Sequence, residues 1–362
     1  MNTEQLFAYL LPTVVTIIIV MLLLPLLIKL SPALKLVDIP NERKVHKTPI
    51  PAIGGMVIVV SVIITYFIVP SLHTLLTNSM AFAICLVLLM ITGVVDDRLN
   101  ISAALRFLIQ IGCAVFVAAN GIRLTSLHGI LGLYEIPVAV QYMLTVTVIT
   151  GVTNAFNLID GIDGLAGSFS VINLTVLSII AVLTGQEQWL ALFLPLVAAL
   201  LVFLKYNWRP AKVFMGDGGS LFFGFFTVTS GIMLIEKSFA TNNSFSTTFM
   251  LVISAACIIP VVDTVRVFYQ RMQKGRSPFS ADKNHLHHWL IKHYMVHSQA
   301  TRKLLRMQIM LIVLSIGASF FMNITVVIVS QALFVLLYTK LLKFNNLFFR
   351  WYRYIKTVES RA

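Results

Sequence analysis

Charge is what this sequence has least of: 11% of its 362 residues are Asp, Glu, Lys or Arg, and acids are the scarcer half, 14 against 27 basic residues. With 58% hydrophobic residues and a mean hydropathy of +0.90, the composition excludes an ordinary soluble domain. Cysteine is also sparse. Cys85, Cys113 and Cys257 all fall within apolar runs, which argues against a disulfide framework and against a thiolate metal site. No folded basic domain stands apart from those runs. The formal charge of +13 therefore points away from nucleic acid and towards anionic headgroups and phosphorylated, soluble substrates.

What is abundant is apolar sequence in runs long enough to cross a bilayer. About eleven runs of roughly 20 residues, the length needed for the hydrocarbon core, lie near 7–30, 51–69, 79–95, 102–119, 137–153, 166–184, 188–205, 219–236, 247–268, 304–321 and 324–342. The expected fold class is an all-α polytopic membrane protein, with one transmembrane catalytic domain over 1–343 and a basic cytoplasmic tail over 344–362. The first run is too long for a signal-peptide core and no small-residue cleavage site follows it, so it reads as a retained span. Lys29, Lys35, Arg43, Lys44 and Lys47 come after it and no basic residue precedes it. The positive-inside rule then puts the N-terminus outside, in the periplasm, and after eleven spans the C-terminus inside. In this topology only Arg123 and Lys237 among the basic residues fall outside.

Aspartate is absent from the expected external loops. All eight, Asp38, Asp96, Asp97, Asp160, Asp163, Asp217, Asp263 and Asp282, are expected on the cytoplasmic face. Short loops need polar residues, but that need does not segregate one residue type to one face, and carboxylates at a membrane edge are costly and usually functional. Five clusters share the face: DIPNERKVHKTPIPAIGG (38–55), GVVDDR (93–98), NAFNLIDGIDGLAG (154–167), KYNWRPAKVFMGDGGS (205–220) and KGRSPFSADKNHLHH (274–288).

Each cluster has a chemical use. Asp96 and Asp97 are adjacent, so on a helix they point differently: one can face a cation or substrate while the other orients a partner. Asn154, Asn157 and Asp160, spaced three apart, line one face of a helix end, and Gly161 and Gly164 permit a turn that aims Asp163 at a ligand. Asp217 stands among glycines where an apolar run begins. Amides at such a helix start, with Gly218, Gly219 and Ser220, suit a phosphate, and the carboxylate suits its divalent cation. His285, His287 and His288 have no cysteine or fourth ligand nearby for zinc, and serve equally as hydrogen-bond donors to phosphate. Asp263 and Arg266 form an i, i+3 pair that can position this segment.

In this order the clusters resemble the polyprenyl-phosphate N-acetylhexosamine-1-phosphate transferases, integral membrane enzymes that load a sugar phosphate onto a lipid phosphate. The likeness runs from about Asp38 to His288 and is nearest to the bacterial branch acting on undecaprenyl phosphate and UDP-GlcNAc. Two departures stand out: Lys283 where that branch usually has arginine, a point charge in place of a bidentate fork, and GDGGS for GDAGS. The resemblance implies transfer of GlcNAc 1-phosphate from UDP-GlcNAc to undecaprenyl phosphate with release of UMP, dependent on Mg²⁺ with Mn²⁺ as substitute, at the bacterial inner membrane with the site facing the cytoplasm. It implies Asp217 and Asp97 as metal ligands. Asp96, Asp97, Asp160, Asp163, His285, His287 and His288 are implied as catalytic, and His46, Lys47, Asn154, Asn157, Asn207, Phe214, Ser220 and Lys283 as substrate-binding. The interrupted HLHH argues against the branch that uses UDP-N-acetylmuramoyl-pentapeptide, whereas the choice among N-acetylhexosamines, the glycan supplied (O-antigen, enterobacterial common antigen or a similar surface polysaccharide) and a homodimer stay open. The rival class is an ion-coupled transporter, whose acids would sit near the midplane between repeated halves; here they lie at one edge and no internal repeat is present.

Overall fold

The computed structural model describes residues 3–40, 48–69, 79–208, 210–280, 282–292 and 295–359. Among them the chain forms α1 (Thr3–Leu34), β1 (Val37–Asp38), β2 (Ile50–Pro51), α2 (Gly54–Ile68), α3 (Met80–Leu99), α4 (Ala103–Ala119), α5 (Val138–Ile159), α6 (Leu165–Leu183), α7 (Leu190–Asn207), α8 (Gly216–Ala240), α9 (Ser246–Met272), α10 (Leu286–Lys292), α11 (His297–Ala318) and α12 (Ile324–Glu359). Every expected apolar run coincides with a helix. Among the described residues eight helices are long and apolar enough to span a membrane; α2 and α4 are shorter apolar helices, and α11, expected as a span, is in neither group. α10 is an extra helix of about two turns that starts in the histidine segment and ends at Lys292. α12 runs without a break across position 343 to Glu359.

α8 occupies the centre because it is apolar on every side. Its membrane window is 94% buried, against 22% for α1 and 28% for the last helix. Phe225 and Phe226 of α8 pack with Phe82 of α3, and Phe226 also meets Phe193 of α7. Buried amides tie the outer helices to this core: Gln308 of α11 donates to Asn173 of α6 at 2.6 Å and to the Ala256 carbonyl at 3.1 Å. Gln331 of α12 donates to the Leu251 carbonyl at 3.1 Å. Away from water such bonds hold helices together where lipid gives apolar surfaces no reason to associate.

Close packing sets the site's position. A Cβ on Gly93 of α3 would lie 2.2 Å from the Gly218 nitrogen of α8, so the two backbones touch. Only glycines allow this approach, and it brings the end of α3, with its aspartate pair, against the start of α8. At the opposite ends of α3, α4 and α8, Arg123 and Lys237 line a second cavity of about 490 Å³ together with Ser79, Asn120 and Gln186. The two basic residues that stood apart in the sequence thus gather at the end away from the aspartates, about 30 Å along a 20-residue helix.

Candidate active site

The ends of α3, α5, α7 and α8 enclose a cavity of about 640 Å³. Six aspartates line it: Asp38, Asp96, Asp97, Asp160, Asp163 and Asp217. Asn207, Phe214, His288 and His297 complete its polar and aromatic wall. Six of the eight aspartates therefore converge on one space from four separate segments of sequence, which solvation of loops would not produce.

The first loop helps to build the floor. β1 pairs with β2 in antiparallel register, Asp38 opposite Ile50. Gly54 and Gly55 then donate backbone N–H bonds to the carbonyls of Phe214 and Met215 at 2.9 and 2.8 Å, and Phe214 donates to the Pro51 carbonyl at 2.7 Å. Thr48, Ile50 and Ala52 line the cavity as a result. His46 and Lys47 lie outside the described residues.

At the start of α8 the amide expected to meet a phosphate is already taken. The Asp217 N–H donates to both carboxylate oxygens of Asp97, at 3.1 and 3.0 Å, so an acid from α3 caps the helix and satisfies its positive end. Gly218 and Gly219 are buried against α3 and α2. Ser220, expected to bind substrate, is fully buried; its hydroxyl accepts from Asn157 Nδ2 at 2.9 Å and donates to the Asp217 carbonyl at 3.3 Å. Its place is behind Asp217, not on the wall.

Asp217 is held from two sides. Asn157 Nδ2 donates to its Oδ1 at 2.9 Å, and Arg106 Nη1 donates to its Oδ2 at 2.8 Å. The same Arg106 nitrogen is hydrogen-bonded to Asp96 Oδ2. Arg106 was not singled out from the sequence, although a lone charge one turn into an apolar run was a signal for it. It is the cation between two acids that would otherwise repel. Asn154 is half-buried on α5 and is not among the residues lining the cavity.

The turn after α5 aims the remaining acids. Asp160 ends the helix, and Gly164, at φ +75°, adopts the left-handed conformation that lets α6 start at once. Gly164 N–H donates to Asn207 Oδ1 at 2.9 Å, and Asn207 Nδ2 donates to the Val213 carbonyl at 2.8 Å. Asn207 thus ties the turn to the segment bearing Phe214. Burial, then the charges of Asp217 and Asp163, push the Asp160 carboxyl up to about 7.

Asp263 and Asp282 are not on the wall; they fold the histidine segment onto the bundle. Asp263 accepts from Arg266 Nη2 at 2.6 Å, pairs with His285 Nδ1 at 2.9 Å and accepts the Leu286 N–H at 3.1 Å. Arg266 also reaches the Asn284 carbonyl at 2.7 Å and stacks over Trp289 at 4.4 Å. Arg271 Nε donates to Asp282 at 2.9 Å. Burial opposes ionisation of Asp282, but the Arg271 and Asn284 hydrogen bonds outweigh it and hold the carboxyl well below the usual range. His285 and His287 are buried. His287 rests on Gly161, where any side chain would collide with its ring, and neither of its nitrogens has a partner among the described residues. His288 alone of the three reaches the cavity. Burial, then the charges of His285, Lys283 and Lys292, lower it to about 4. Burial and the neighbouring His288 and His285 likewise lower His287. The Lys283 side chain is exposed and not among the lining residues.

The donor set suits a hard divalent cation. Carboxylate oxygens of Asp96, Asp97 and Asp217 face one space, no lysine or arginine is among the described lining residues, and Asp160 is held towards its neutral form by burial and then by the charges of Asp217 and Asp163. Among the described residues no three such groups form a ready cage.

Over residues 79–235 the chain matches the sequence model of a family described as glycosyl transferase family 4. It is 31% identical to a Bacillus subtilis (strain 168) protein named "Probable undecaprenyl-phosphate N-acetylglucosaminyl 1-phosphate transferase", over 82% of this chain and 81% of the relative. It is 32% identical to the undecaprenyl-phosphate alpha-N-acetylglucosaminyl 1-phosphate transferase of Escherichia coli O157:H7, over 73% of this chain and 71% of the relative.

Proposed function

The chain belongs to the polyprenyl-phosphate N-acetylhexosamine-1-phosphate transferases, within glycosyl transferase family 4, and from that footing we propose that it transfers GlcNAc 1-phosphate from UDP-GlcNAc to undecaprenyl phosphate and releases UMP. The observation that carries the reading is the convergence of six aspartates, Asn207 and Phe214 on one cavity at the ends of membrane-spanning helices. A soluble diphosphate and a lipid phosphate can meet there. In this reading the cavity faces the cytoplasm at the bacterial inner membrane, and the product starts a surface polysaccharide.

An oxygen of the lipid phosphate attacks the phosphorus that bears the sugar. The bond from that phosphorus to the bridging oxygen breaks, and the oxygen leaves with UMP. The reaction gathers several negative charges, and a bound Mg²⁺ would supply the charge neutralisation that lets two phosphates approach. Asp217 and Asp97 would hold it, with Asp96 beside them. Arg106 keeps Asp96 and Asp217 apart at a fixed separation, and Asn157 orients Asp217 through its Oδ1. Asn207 and Phe214 receive the base, Phe214 by stacking, and His288 donates a hydrogen bond to the diphosphate or sugar. No base is required, because a phosphate monoester has a second pKa near 6 and is largely a dianion at neutral pH.

Membranes containing the protein, given UDP-[³H]GlcNAc, undecaprenyl phosphate and Mg²⁺, should yield radiolabel in an organic-extractable lipid, and Asp217→Asn should abolish it. Absence of transfer by the wild type with any UDP-N-acetylhexosamine tested side by side would sink the reading. Label from a different sugar would correct the donor.

A further inference from the structure

His297, the first residue of α11, belongs to none of the sequence clusters, yet it lines the cavity. Its Nδ1 stands 3.0 Å from Asp163 Oδ1, and both side chains are 12% exposed. One turn further along α11, the buried Thr301 donates its hydroxyl hydrogen bond to the Asp163 carbonyl at 2.9 Å. Both the carboxylate and the backbone of Asp163 are therefore gripped by a helix more than 130 residues away in sequence. The Asp163 N–H donates to His297 Nδ1 at 3.5 Å, so one ring nitrogen meets both the backbone and the carboxylate of Asp163.

We infer that His297 is a positioning residue for Asp163, holding that carboxylate aimed at hydrogen-bond donors on the nucleoside portion of the UDP-sugar. The inference rests on the proposed reaction for the identity of the ligand. Direction comes from the neighbouring residue: Gly164 is bonded to Asn207, which with Phe214 forms the wall assigned to the base. Asp163 thus faces the nucleoside end, whereas Asp97, Asp217 and Arg106 form the phosphate end. An ionised carboxylate is an acceptor only, so it recognises the O–H groups of a ribose or the N–H of a pyrimidine. Without His297 the side chain would lose the 3.0 Å contact that fixes its rotamer. His297 Nε2 is buried and has no partner among the described residues, so the ring is tied to the site through Nδ1 and Asp163.

The two amides that imitate the two ring nitrogens separate the roles. His297→Asn places an N–H near the Nδ1 position and removes Nε2; His297→Gln does the reverse. In purified full-length protein, His297→Ala should weaken UMP binding and raise the KM for UDP-GlcNAc by roughly tenfold, the size of a hydrogen bond to a charged group, while leaving the KM for undecaprenyl phosphate unchanged. His297→Asn should restore most of the loss, and His297→Gln should not. In an Asp163→Ala background, His297→Ala should weaken UMP binding no further, because the bond it removes is already gone. The inference is overturned if His297→Gln rescues better than His297→Asn, if the Ala effect persists without Asp163, or if UMP affinity is unchanged. Should His297→Ala fail to fold, the comparison of the two amides carries the test. A wild type that neither binds UMP nor transfers sugar phosphate condemns the reaction itself, an outcome distinct from an active wild type indifferent to position 297.

Discussion

Gly93→Ala should disable the enzyme without touching any group that contacts substrate. The added methyl would sit 2.2 Å from the Gly218 nitrogen, 2.3 Å from the Asp217 carbonyl carbon and 2.4 Å from the Gly218 Cα. All three atoms are backbone at the start of a helix, so none can rotate away. Ordinary contact for a Cβ begins near 3.4 Å, and α3 and α8 must separate by about 1 Å to reach it. The Asp217 N–H bonds to Asp97, now 3.0 and 3.1 Å, would then stretch beyond hydrogen-bonding range. Asp96 and Asp217 would also lose their common spacing on Arg106. Displacements of about 1 Å in a reacting constellation cost on the order of 100-fold in rate, and that loss is expected in kcat of the radiolabel assay. Gly112→Ala is the control: its Cβ meets nothing within 4 Å, so activity should stay at the wild-type level. If Gly93→Ala is folded by size-exclusion chromatography and retains kcat within threefold, backbone contact between α3 and α8 does not set the site.

Other consequences follow from the same geometry. Arg106→Gln should lower kcat/KM by at least tenfold, because it leaves Asp96 and Asp217 without the cation between them, and Arg106→Lys should recover only part, lacking the fork; equal activity in all three refutes the bridge. For Asp97→Asn, the pH profile of kcat should keep the wild-type acidic limb at a lower plateau, and disappearance of that limb would instead assign Asp97 as a base. Histidine in an unfolded chain titrates near 6.5 and folded His288 near 4, so its contribution to stability is complete above 6.5 and lost as pH falls towards 4. The Tm of His288→Gln relative to wild type should therefore rise as pH drops from 7 to 5. Asp160 has the opposite sign: its folded value near 7 exceeds the ordinary 3.9, so the folded form is penalised as pH rises through 7, and Asp160→Asn in EDTA should gain more Tm over wild type at pH 8 than at pH 5. Parallel Tm curves would refute either assignment.

The sequence by itself determined that this is a polytopic helical protein, because a 20-residue apolar run has only a helix available in lipid. It also singled out the aspartates, since carboxylates confined to one end of such helices need a reason. Periodicity placed Asn157 and Asp160 on one face, and the structure finds them at one cavity edge with Asp217. What sequence could not decide was which polar groups face the ligand and which face one another. Read alone, Gly218, Gly219 and Ser220 look like a phosphate cradle; in three dimensions they are packing surface, because α2 and α3 lie against them and Asp97 takes the amide of Asp217. Asp263 looks like the other aspartates but serves to hold His285. Arg106 and His297 lie outside every cluster, and only the approach of α4 to α3 and α8, and of α11 to the turn after α5, gives each its carboxylate. Apolar length is a local property written along the chain. Pairing of charges depends on which helix ends meet, and glycines at their contacts, not the charged residues, decide that.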